Sequence, residues 1–99
     1  MKRNDTSPFL RATLASANSL VGATVVFNMQ DQSGTVIVNR ASAVILDATA
    51  KVIEYRWSAG DTATAGQFTG EFEVTYTDGK VETFPNEGFI PITIERDIA

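Results

Sequence analysis

Along much of this chain apolar and polar residues alternate one for one. The clearest run is Gln67 to Thr77, where Phe68, Gly70, Phe72, Val74 and Tyr76 share one parity and Gln67, Thr69, Glu71, Glu73, Thr75 and Thr77 the other. A period of two sends these sets to opposite faces of a strand, whereas helical spacing would scatter the aromatics around a cylinder. The run therefore predicts a strand with one buried and one wet face. Asp78-Gly79 and a second alternating segment, Lys80 to Phe84, follow it. Asp-Gly between two strands favours a two-residue type I′ hairpin, because both central residues need positive φ. Such a turn pairs Thr77 with Lys80, Tyr76 with Val81, Thr75 with Glu82, Val74 with Thr83 and Glu73 with Phe84. Val81 and Thr83 then face the core, and Phe84 faces out.

Shorter runs repeat the pattern. Phe9 to Leu14 places Leu10, Ala12 and Leu14 on one face, and Ala23 to Met29 does the same for Val25, Phe27 and Met29. Gln30 to Gly34 is a turn cluster, and Thr35 to Asn39 and Ala43 to Leu46 are two short β-branched and aliphatic segments. In Lys51 to Trp57, Ile53, Tyr55 and Trp57 point inward, while Lys51, Glu54 and Arg56 lie outward or at the rim. Asp61 to Gly66 is a loop that accommodates one helical turn capped by Asp61. The last strand, Phe89 to Glu95, turns Ile90, Ile92 and Ile94 inward; Pro91 has no amide proton for a ladder, which marks an edge or a bulge. A helix over Leu10 to Val21 is the competing reading, but Asn18-Ser19 and the β-branched run after Gly22 break its spacing. About seven or eight short strands with regular turn signals predict an all-β fold, an antiparallel immunoglobulin-like β-sandwich. Residues 8–99 form its single domain, and 1–7 a polar arm with nothing to anchor it, for a neighbouring subunit to hold.

Composition narrows function more than fold. The 99 residues weigh 10.7 kDa, with 43% hydrophobic and 20% charged. Scaling gives a folded surface of about 5,500 Å² against roughly 15,500 Å² unfolded, enough burial for one core. The formal charge of -4 and scattered basic residues exclude a phosphate-binding groove, hence a nucleic-acid partner. Without cysteine or histidine there is no disulfide, thiolate nucleophile or zinc-thiolate site, and no usual general base. No apolar stretch approaches the ~18 residues of a membrane span. Asn4 to Pro8 stand where a signal peptide would carry its apolar run. The expectation is a soluble intracellular domain with little catalytic equipment.

Candidate constellations mostly resolve into structure. Tyr55, Trp57, Phe68, Phe72 and Tyr76 fall on inward parities and read as core, with Trp57 alone placed to stack on a sugar. Glu71, Glu73 and Glu82 lie on the outer face of the predicted hairpin and lack the desolvating cleft that glycosidase chemistry needs. No loop carries the acidic spacing of a calcium site, and Lys2, Lys51 and Lys80 occupy exposed segments unsuited to a Ser-Lys pair. Neither catalytic, metal nor cofactor residues are expected. Phe84 and Phe89, outward at the two ends of Pro85-Asn86-Glu87-Gly88, form the expected contact patch. Phe9, Pro91 and the arm residues Lys2 and Arg3 complete the expected partner-binding set.

The segments "DTSPFLRATL", "LVGATVVFNM" and "VIEYRWSAGDTATAGQFTGEFEVTYTDGKVETFPNEGFIPITI" resemble the N-terminal domain of phage baseplate upper proteins, an immunoglobulin-like module. The resemblance runs from about Asp5 to Ile94, and departs from the family at the turns around Ala17 to Val21 and Ala50-Lys51. It implies a structural virion protein of a tailed phage, made in the bacterial cytoplasm. The implied role is an adaptor, collar, baseplate or decoration subunit that docks other phage structural proteins in a multi-copy symmetric assembly. It carries over no catalytic residue. The alternative from the residues themselves is a stand-alone carbohydrate-binding module built around Trp57.

Overall fold

Each alternating segment holds a strand, and a computed structural model describes residues 1–98. The elements are β1 (Leu10–Thr13), β2 (Thr24–Asp31), β3 (Val36–Ser42), β4 (Val44–Asp47), β5 (Val52–Tyr55), β6 (Gly66–Thr75), β7 (Val81–Phe84) and β8 (Ile90–Ile94). Among the described residues there is no helix, so Leu10 to Val21 is a strand followed by turns and 61–65 is a turn region leading into β6. Asp61 works backward: its carboxylate accepts hydrogen bonds from Ser58 N and Tyr55 Oη instead of opening a helix. Ala99, inside the expected domain, lies outside the described residues.

The strands form two antiparallel sheets, a three-stranded one in the order β1-β5-β4 and a five-stranded one in the order β3-β2-β6-β7 with β8 also on β6. We call these the small and the large sheet. β7 and β8 share one edge of β6 end to end, β7 on Phe72–Thr75 and β8 on Gly66–Gly70. Pro91 therefore sits on an edge strand, as its missing amide proton requires. The chain passes from β3 to β4 between the sheets, closing a β-sandwich.

Between the sheets lies one core. Phe27 stacks on Tyr55 at 4.5 Å between centroids, and Trp57 meets both rings edge-on at 5.9 and 5.2 Å. Such contacts add roughly 0.5–1.5 kcal/mol each beyond burial. Gly70 makes this packing possible: a Cβ there would stand 2.9 Å from the Phe27 ring and from Ile92 Cδ1.

The hairpin departs from expectation. Tyr76 N donates to Lys80 O and Gly79 N to Tyr76 O, so the loop holds Thr77, Asp78 and Gly79, three residues instead of two. Of these only Gly79 has positive φ, at 86°, the arrangement of a type I turn followed by a glycine bulge. The register moves by one: Phe72 faces Phe84, Glu73 faces Thr83, Val74 faces Glu82 and Thr75 faces Val81. A one-residue slip inverts a whole strand. Phe84 is accordingly buried at 5% exposure, while Val81 stands out at 58%. Thr83 joins the outer face, and Glu82 turns to the inner rim, where it accepts the Tyr76 hydroxyl at 2.8 Å.

The arm is also tied down by the chain's own backbone. Arg3 N donates to Glu95 O and Glu95 N to Met1 O, both at 2.7 Å, and Asn4 N reaches Thr62 O at 2.9 Å. Buried Thr62 returns its hydroxyl to Asp5 O at 2.7 Å, and Met1 packs against the core. No second subunit is needed to order residues 1–7.

Candidate docking surface

β5 is the middle strand of the small sheet, flanked by β1 and β4. Its inward residues, Ile53 and Tyr55, fill the core, so Glu54 must point to the outer face. Cross-strand pairing sets Arg11 and Val44 opposite it, on either side. Arg11 Nη2 donates to Glu54 Oε1 at 2.8 Å and Arg56 Nε to Oε2 at 2.9 Å. Each carboxylate oxygen thus has a partner, and Glu54, outward as expected, is nonetheless only 2% exposed. Both guanidiniums stay largely open to solvent. Their hydrogen bonds and charge hold the Glu54 pKa below its ordinary value against the opposing cost of burial.

Phe9 extends β1 on the same parity as Arg11, which brings its ring to the same outer face. Arg56 lies over that ring, Cζ 5.5 Å from the centroid, in cation–π range. Phe9 itself remains 46% exposed. The small sheet thus presents an aromatic ring and two guanidiniums held in place by one buried acid.

The large sheet's outer face differs. Asn28 and Gln30 of β2 stand beside Glu71 and Thr69 of β6, with Val36 and Arg40 of β3 on one side and Phe89 on the other. Together with Asn39 and Met29 they line a groove of about 400 Å³. Arg40 has positive φ, 50°, and its N–H donates to Asn28 Oδ1 at 2.7 Å where the β2–β3 register shifts. Its guanidinium pairs with Glu73 at 2.8 Å.

The expected partner residues are therefore dispersed. Phe89, 55% exposed, and Pro91 stay together on the large sheet's outer side. Phe84 is core and contributes nothing to a surface. Phe9 is on the opposite face of the sandwich. Lys2 forms an isolated parallel backbone β-bridge with Glu95, and the Arg3 side chain pairs with Asp97 at 3.2 Å. That lies about 20 Å along β8 from Phe89 at strand spacing. Trp57 is 7% exposed and its Nε1 donates to Pro8 O, so it offers no ring to a sugar. The Glu54 cluster escaped the sequence because β1 and β5 meet only in the folded sheet; the shared parity of Glu54 and Arg56 was its one visible trace.

No family model and no curated protein matches the chain. Among solved structures, the crystal structure of CopC from Methylosinus trichosporium OB3b superposes with a TM-score of 0.58 at 11% identity, over 97% of this chain and 81% of that one. At that identity the likeness establishes the β-sandwich and nothing finer. Among the described residues no three His, Cys, Asp or Glu side chains are grouped to hold a metal ion.

Proposed function

We propose that this domain is a structural docking subunit of a tailed-phage particle, attached through the outer face of its small sheet. The resemblance of Asp5 to Ile94 to the baseplate upper protein module supports the setting. The observation that carries the docking role is the Phe9–Arg56–Arg11 cluster fixed by Glu54. Arginine and aromatic side chains dominate protein contact hot spots. Ordering them before contact removes side-chain entropy that binding would otherwise lose. The partner is another structural protein of the particle, the domain acts by contact and not by chemistry, and it is present in several symmetric copies.

Quantitative mass spectrometry of purified particles, from a phage or prophage encoding the chain, tests this. A fixed multi-copy ratio to the major capsid protein is the expected result, and absence from the particle defeats the proposal. Phe9→Ser should fold with an unchanged melting temperature and lose incorporation. Wild-type incorporation of that variant would remove the docking face from the small sheet.

A further inference from the structure

The groove on the large sheet plays no part in that docking role and lies on the opposite side of the sandwich. It crosses β3, β2 and β6 and ends at Phe89 beside β8. Three strand spacings make it roughly 14 Å long. Its volume of about 400 Å³ is that of a small-ligand site. Its polar lining is mainly planar: the amides of Asn28, Gln30 and Asn39, the carboxylate of Glu71 and the guanidinium of Arg40. Arg40 and the Asn28 oxygen are engaged within the protein. The side chains of Gln30, Asn39, Thr69 and Glu71 have no partner among the described residues, and the Asn28 NH₂ is also free.

We propose that this groove binds a neutral saccharide. An amide offers a donor and an acceptor side by side, which matches the paired hydroxyls of a sugar ring. Phe89, exposed at the groove's end, supplies an apolar ring for the C–H face of the same ring. Charge excludes the anionic alternative: Arg40 is neutralised by Glu73, and Glu71 would repel a phosphate or sulfate. This site goes beyond the particle-docking reading and does not depend on it.

Titrating the full-length ¹⁵N-labelled chain with neutral oligosaccharides of glucose, mannose, galactose and N-acetylglucosamine tests it. Tri-lysine and inorganic phosphate serve as comparators. At least one oligosaccharide should shift the amides of Asn28, Gln30, Asn39 and Thr69 at millimolar concentration. Phe89→Ala should weaken that binding by about tenfold, and Glu71→Gln, which keeps a planar polar group, by less than about threefold. Phe9→Ser should leave it unchanged, so loss of incorporation and loss of sugar binding are separable. Silence across the panel would overturn the proposal, as would undiminished binding by Phe89→Ala. A response to tri-lysine alone, abolished by Glu71→Gln, would reassign the groove to a basic peptide.

Discussion

Glu54 is a charged residue in the middle of a sheet face, and the two arginines that cover it decide how the protein meets acid. Because folding lowers its pKa, the unfolded chain takes up this proton first as pH falls. The stability it lends is complete above the ordinary glutamate value and disappears as pH drops through the lowered one. Asp31 adds in the same direction, its carboxylate held down chiefly by the Ser33 hydroxyl and then by Thr35 N–H. Glu54→Gln should therefore flatten the fall in urea midpoint between pH about 6 and about 3. A variant with the wild-type acid slope would show that the clamp carries no linkage. Tyr55 governs the other limb. Burial, and then the hydrogen bond to Asp61, push its hydroxyl up from 10.0 to about 12. Unfolding releases that proton in this window, so stability is intact below pH 10 and lost as pH rises through about 12. Tyr55→Phe should cost about 1 kcal/mol at neutral pH, the worth of one hydrogen bond. It should also remove part of the alkaline slope, read by denaturation at several pH values.

At the scale of elements, the hairpin separates what the sequence could say from what it could not. Asp78-Gly79 marks where the chain reverses, but the same dipeptide fits a two-residue loop and a three-residue loop with Gly79 in the left-handed position. Whether Thr77 belongs to strand or loop is therefore undetermined locally. Packing decides it, since burying Phe84 removes more apolar area from water than burying Val81. Phe84→Ala should accordingly cost about 3–5 kcal/mol. Val81→Ala on the exposed side should cost within about 0.5 kcal/mol. Equal losses in a urea titration would restore the type I′ register. Deleting Thr77 is a sharper probe. Tyr76 and Lys80 already bond across the loop, so the deletion leaves Asp-Gly as a two-residue turn between the same partners. It should preserve the pairing of Glu73 with Thr83, seen as cross-strand NMR contacts, and a shifted pairing would refute this account of the turn. Long, strongly alternating β6 needed no such arbitration.

In the whole molecule, strand parity was readable wherever a long alternating run met the core, but not in short β7, whose faces are inverted, and the partnering of distant strands was not readable at all. Nothing in Arg11 announces Glu54, and the arm is held largely by backbone hydrogen bonds, which leave no side-chain pattern. The result is an elongated body of 46 × 25 × 19 Å, with a surface of 5908 Å² against the about 5,500 Å² of size scaling. That shape matters for function because it keeps two outer faces apart. Phe9 lies on one and Phe89 on the other, with two sheets between them whose separation alone is about 10 Å. Side chains at that remove, sharing no partner, perturb stability independently. The double variant Phe9→Ser/Phe89→Ala should thus match the sum of the single changes to within about 0.5 kcal/mol in urea. It should lose particle incorporation and show the about tenfold weaker saccharide binding together, while each single variant shows one effect. A coupling energy well above that limit would mean that the sandwich transmits strain from face to face, and that docking and ligand binding regulate each other.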